Sequence, residues 1–170
     1  MNTTDRYKFT DNGSEISLMP NYSFLNTLKW WLAAGILVIS AMYYFRNILS
    51  EKFFIIAFSL WVVYMGYFLL DLIFRVPVKY IFDKREKCIY RKLFLTKKIM
   101  SFDEMTYFIN EDSGGYYYVI GKKRNQFVKN YRISNYFSGS KTSRIKEDEF
   151  LKNILYPVLD AMAVQINRPQ

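Results

Sequence analysis

Two apolar runs lie almost end to end between residues 29 and 75, and they limit the architecture more than any other part of the chain. Residues 30–45 read WWLAAGILVISAMYYF and are bounded by Lys29 and Arg46. Residues 53–70 read FFIIAFSLWVVYMGYFLL and continue past Asp71 to Phe74 before Arg75. As helices these runs of 16 and 18 residues reach roughly 24 and 27 Å. A hydrocarbon core is about 30 Å thick, and aromatic side chains at the interface complete the span. The short polar turn 46–52 makes the two helices antiparallel neighbours. We therefore expect a transmembrane hairpin over 29–75, with helices at about 30–46 and 53–74.

A cleaved signal peptide would start with a basic segment and end in small residues. Here the first run starts 29 residues into the chain and closes on Met42-Tyr43-Tyr44-Phe45. Orientation follows from the basic residues beyond the second run. Arg75, Lys79, Lys84, Arg85, Lys87, Arg91 and Lys92 fall close together, whereas the interhelix turn carries only Arg46 and Lys52. Lys and Arg near helix ends are retained in the cytoplasm. Both termini are accordingly expected there, in a multi-pass protein of the plasma (inner) membrane.

Charge and rare residues narrow the chemistry. Residues 75–170 hold 19 Lys/Arg and 10 Asp/Glu, equal to the whole net charge of +9. Topological retention and an anionic inner leaflet account for this excess better than nucleic acid does. The chain has no His and one Cys, Cys88, so an internal disulfide, a Cys/His zinc site and a His-dependent triad are all excluded. Cys88 sits in an alternating run and reads as a small buried hydrophobe. No phosphate-binding loop, dinucleotide-binding glycine pattern or paired acidic motif is present. Asp103-Glu104 reads as a turn and Glu147-Asp148-Glu149 as a helix start. The expectation is a non-enzyme with no catalytic residue, metal or cofactor.

Asp71 is the one acidic residue within the apolar runs. With Arg75 at i+4 it reads as an interfacial ion pair near the helix end rather than an ion path. Ala34 and Ala41 on the first helix, with Ser59 and Gly66 on the second, are the small residues expected where helices touch.

After residue 75 the pattern is β-rich. Short runs at 78–82, 88–95, 99–102, 105–109, 116–120 and 126–131 alternate with polar turns, Asn110-Glu111-Asp112-Ser113-Gly114-Gly115 being the strongest. Phe150, Ile154, Val158 and Met162, with Leu151, Leu155 and Leu159, form a helical stripe over about 147–165. Pro157 within it implies a kink or two shorter helices. Residues 133–145 read as a connection. In the tail 1–28, Asp11-Asn12-Gly13-Ser14 is a hairpin-type turn, so this part either adds strands to the sheet or stays unstructured.

The order of two membrane helices, then VKYIFDKREKCIYRKLFLTKKIMSFDEM, then YYYVIGKKRNQFVKNY and a closing helix resembles the bacterial pleckstrin-homology-like membrane proteins. Ser101-Phe102-Asp103-Glu104-Met105 matches a short motif of those families. The resemblance covers residues 30 to about 165 and rests on hydrophobic pattern; the unusually aromatic strands and Pro157 depart from it. It implies a bent antiparallel β-domain at 76–170 capped by the C-terminal helix, and self-association. The fold class expected is thus membrane α+β.

Two basic turns, Lys84-Arg85-Lys87 and Lys122-Lys123-Arg124, are then candidates for an acidic partner, or are a solvated end. Asp71, Arg75, Lys97 and Lys98 are expected near the membrane. The lipid bilayer is one partner, joined by a protein partner or a second copy; anionic headgroups are a further candidate. Three functions fit: a membrane-anchored binding or scaffolding protein, an immunity protein against a membrane-acting bacterial toxin, and a lipid-sensing regulator.

Overall fold

Asparagine and glycine make the first hairpin turn of the chain, and its consequences reach the centre of the β-domain. In the computed structural model, which describes residues 2–123 and 129–162, a helical turn α1 (Thr3–Arg6) precedes β1 (Thr10–Asp11) and β2 (Glu15–Leu18). Gly13 takes φ +77° between them, and its N–H donates to Asp11 Oδ1 at 2.8 Å. That left-handed conformation carries little cost for glycine. The hairpin does not stand alone, because β2 pairs antiparallel with β3 (Lys79–Asp83), Leu18 opposite Tyr80 and Ile16 opposite Phe82.

Five strands form the first sheet in the order β1-β2-β3-β4-β5, with β4 at Cys88–Lys92 and β5 at Thr96–Ser101. The second sheet holds β6 (Met105–Asp112), β7 (Gly115–Lys122), β8 (Tyr131–Arg132) and β9 (Phe137–Ser138), the last two both pairing with β7. Between β8 and β9 the edge bulges away from β7. The Ser134 hydroxyl bridges the gap by accepting the Tyr118 N–H at 2.8 Å, which keeps a buried amide satisfied. The connection expected at 133–145 therefore contains a short strand.

The closing helix begins earlier than its apolar stripe indicates. Helix α4 covers Lys141–Phe150, a π turn follows at Leu151–Leu155, and α5 runs Tyr156–Ala161. Ser140 caps α4 by accepting the Ser143 N–H at 3.3 Å, which starts a helix over a segment whose side chains are polar. Residues 147–149 are thus inside the helix rather than at its start. Pro157 lies at the start of α5 directly after the π turn, the point at which the regular i→i−4 ladder is already interrupted. The backbone stays helical through the transition, with αR dihedrals at Leu151 and Tyr156.

One core unites the two sheets and this helix. Ile16, Leu18, Phe82, Ile89, Met105, Ile120, Phe150, Ile154 and Leu159 are all fully buried in a single cluster. Phe150 is its hub: ring centroids of Tyr7, Tyr118 and Phe137 lie 5.1, 5.6 and 5.8 Å from it. Residues 1–22 and 78–170 make one compact unit and 23–77 the other. The first 22 residues thus belong with the β-domain.

The second unit is a helix pair, α2 (Phe24–Tyr44) and α3 (Glu51–Leu70), the latter prolonged by a π turn at Asp71–Arg75. Helix α2 starts about six residues before its apolar run, because Asn26, Thr27 and Lys29 are compatible with a helix although they are not apolar. Both helices are long and apolar enough to cross a membrane, and none of the most apolar window of α3 is buried. A core helix of a water-soluble protein would instead be covered on one face.

Their contact differs from the one expected. Ala34, Ser59 and Gly66 face outward, and the close approach is at Gly35. There the Trp61 indole N–H donates to the Gly35 carbonyl at 2.9 Å, and the Tyr64 hydroxyl donates to the Trp31 carbonyl at 2.8 Å. A single glycine with aromatic donors opposite it replaces the two-sided small-residue seam.

Candidate functional site

The charges singled out from the sequence fall into three places. At one end of the first sheet, the turn after β3 carries Lys84, Arg85 and Lys87. Lys84 Nζ forms an ion pair with Asp11 at 3.0 Å, and its N–H donates to the Ser14 carbonyl at 2.9 Å. Together with the Gly13 N–H, this holds the Asp11 carboxyl below the usual carboxylate range, the backbone donor acting most. Arg85 is exposed, and its N–H and that of Glu86 donate to Asp83 Oδ1. Lys87 adopts φ +51°.

The second basic turn comes to the same end. The Phe102 N–H donates to the Lys87 carbonyl at 2.9 Å, and the Lys123 N–H donates to the Glu104 carbonyl at 2.7 Å. The Phe102-Asp103-Glu104 turn thus sits between the two basic turns. Lys122 Nζ pairs with Glu104 at 3.0 Å, which lowers the Glu104 carboxyl from its ordinary value. Arg124 lies outside the described residues. Asp11, Asp83, Glu86, Asp103 and Glu104 therefore intersperse this end with negative charge, and two of its lysines are engaged in ion pairs. The surface is of mixed sign rather than a basic patch.

Lys97 and Lys98 are not in a turn. They lie within β5, opposite Arg91 and Tyr90 of β4, and the hairpin tip is Leu93-Phe94-Leu95. The sequence reading extended β4 through Leu95 because these residues are apolar. The β4–β5 ladder closes at the Lys92–Thr96 pair, so residues 93–95 form the reversal between the two strands, with the Leu93 N–H donating to the Leu95 carbonyl. The outcome is an apolar tip in the open: Phe94 is 67% and Leu95 84% exposed. Beside it lies a groove of about 350 Å³ lined by Arg91, Lys97 and Lys129 together with Leu93, Ile99 and Tyr131. Three cations beside exposed hydrophobes were not recognised as a unit in the sequence, although LFLT between Arg91-Lys92 and Lys97-Lys98 was the available signal.

On the helix pair, Arg75 Nη1 approaches Asp71 Oδ2 at 3.7 Å, and the Arg75 guanidinium lies 5.2 Å from the centre of the Phe24 ring. Trp31, Tyr64 and Tyr67 join these residues around an apolar groove of about 660 Å³.

A polar cluster inside the β-domain has a structural geometry. The Tyr116 and Tyr118 hydroxyls both donate to the Glu147 carboxylate, Tyr118 at 2.7 Å. The Thr3 hydroxyl donates to Glu149 at 2.5 Å. Hydrogen bonding to Glu147, followed by burial, pushes Tyr116 up to about 12. For Tyr118, burial acts first and the same carboxylate second, also upward. Phenols held protonated in this way tie α4 to β7, and the Thr3 hydroxyl ties α4 to α1; the phenols are poor proton donors. Cys88 is buried and free, and among the described residues no group of three Cys, Asp or Glu converges on a common point that could hold a metal.

No family model, curated protein or solved structure matches this chain.

Proposed function

We propose that this chain is a non-enzymatic, membrane-anchored binding or scaffolding protein that presents a pleckstrin-homology-like domain at the cytoplasmic face of a bacterial plasma membrane. The observation that carries the reading is the division of labour between two compact units. One unit is a pair of helices whose apolar side chains point outward. The other is a β-domain in which Lys84 and Lys122 are held in ion pairs and two phenols tie a strand to a helix. Consecutive antiparallel strands in two sheets, followed by a C-terminal helix whose apolar face enters their common core, support the pleckstrin-homology-like description. The excess of Lys and Arg after the second helix supports the cytoplasmic placement.

A photo-crosslinking residue placed at Arg85 or Lys123 in the full-length chain, irradiated in native membranes, tests the binding role. A discrete crosslinked protein, either a partner or a second copy, is the expected result. If irradiation at both positions yields only the uncrosslinked chain, the scaffolding role fails. Recovery of the chain in the soluble fraction without detergent defeats the anchoring as well.

A further inference from the structure

The exposed tip of the β4–β5 hairpin is unlike the rest of the β-domain surface. Most large hydrophobes of this unit are buried in one core, yet Phe94 and Leu95 remain 67% and 84% exposed. Leaving two large apolar side chains in water carries a free-energy cost that burial elsewhere would remove. The charge around them has one sign. Arg91, Lys97 and Lys129 line the adjoining groove, and no Asp or Glu among the described residues does. Lys92 flanks the tip, opposite Thr96 in the ladder.

Topology adds a second, independent observation. Lys79 pairs with Lys92, and Leu18 pairs with Tyr80. Residues 19–22 and 76–78, the two covalent links to the helix pair, therefore leave the sheet at the end that carries this tip.

We propose that the 93–95 tip docks on an anionic phospholipid bilayer, with Phe94 and Leu95 entering the acyl boundary and Arg91, Lys97 and Lys129 receiving headgroup phosphates. Apolar side chains and cations together make the match. A bilayer surface offers an apolar interior directly beneath a negatively charged layer, and the chain runs on to its two bilayer-length apolar helices from this same end of the sheet, which favours lipid over a soluble acidic partner. The inference deepens the proposed anchoring and rests on it: the spans hold the β-domain near lipid, and the tip fixes how it meets the surface. The Lys84–Lys87 turn, at the other end of the β3–β4 pair, stays in water.

The test uses the full-length chain in vesicles of phosphatidylcholine, with or without phosphatidylglycerol. An environment-sensitive fluorophore is attached at Leu95→Cys or, for comparison, at Arg85→Cys, each in a Cys88→Ala background. Nitroxide-labelled lipid should quench the label at 95 in the phosphatidylglycerol vesicles and leave the label at 85 unquenched. Lys97→Gln and Lys129→Gln should each lower the docked-to-undocked ratio about fivefold, and added salt should act in the same direction. Both lysines are exposed, so folding is not at risk, and an unchanged thermal melt verifies this.

Quenching at 95 that is absent, equal to that at 85, or indifferent to phosphatidylglycerol overturns the proposal. If the chain nevertheless resists an alkaline wash of the vesicles, the anchoring reading survives that failure. If it washes off although 95 was quenched beforehand, the tip proposal stands and the spans do not.

Discussion

Tyr7 shows how much a single side chain from a short N-terminal segment can do. Its ring packs against Phe150 at a tilt of 43°, and its hydroxyl accepts the Asn135 N–H at 3.0 Å. Burial, only partly offset by that donor, pushes its pKa up to about 12. Since the folded value is raised, the stabilisation is complete below the unfolded value near 10 and is lost as pH rises through the folded one. Stability should fall between about pH 10 and 12, and Tyr80, raised to about 12 mainly by burial, acts in the same window. Tyrosinate absorbance followed together with near-ultraviolet circular dichroism should show ionisation coinciding with loss of tertiary signal. Tyr7→Phe should cost about 1–2 kcal/mol at neutral pH and soften the alkaline transition.

Gly115 makes a different demand, for space. A Cβ there would lie 2.4 Å from the Phe137 carbonyl oxygen and 2.3 Å from the Tyr136 ring. The backbone of β9 cannot yield without breaking its pairing with β7. Gly115→Ala should therefore destabilise by about 1–3 kcal/mol, measurable as a lowered melting midpoint. Glycine in a Gly-Gly turn read only as a turn signal in the sequence; the close approach depends on a strand more than 20 residues away.

Elements are where sequence reading and folded outcome diverge, and the divergences share a cause. Helix α4 and strand β5 both begin in polar residues, 141–144 and 96–98, that carry no apolar periodicity. A serine cap starts the helix, and hairpin register recruits Lys97 and Lys98 into the strand. Conversely, Leu93-Phe94-Leu95 is apolar and still not a strand, since the Lys92–Thr96 pairing makes it the turn of the β4–β5 hairpin. The attachment of α4 to the sheet rests on Glu147 accepting from two phenols. Glu147→Gln loses the charge that strengthens both bonds and should cost about 1–3 kcal/mol. It should also lower the ionisation pH of Tyr116, which an ultraviolet pH titration reads directly.

For the whole molecule, the β-domain is discontinuous in the chain, residues 1–22 folding with 78–170 while the helix pair is inserted between them in sequence. Tyr7, Ile16 and Leu18 are buried in its core, and each is worth about 1.5–3 kcal/mol of burial. Small domains hold a margin of only about 5–15 kcal/mol, so residues 78–170 alone should lack a cooperative melt. Joining residues 1–22 to them through a flexible linker should restore one, and circular dichroism against temperature distinguishes the two. The helix pair makes a separate prediction: the full chain should stay in the membrane pellet after alkaline extraction and enter solution only with detergent.

Hydrophobic periodicity is a local property, and local properties carried the reading a long way: two bilayer-length apolar helices, strand-and-turn alternation after them, a closing amphipathic helix, and the absence of His-based chemistry. Partnership is not local. That β2 completes the first sheet, that Gly35 rather than a row of small residues meets Trp61, that Lys84 and Lys122 are engaged by Asp11 and Glu104, and that Phe94 and Leu95 are left in the open all depend on segments far apart in the chain. Backbone hydrogen bonds and close packing act only between groups that folding has already brought together, so the chain pattern could mark the tail hairpin and the LFLT run as signals but not fix what each of them meets.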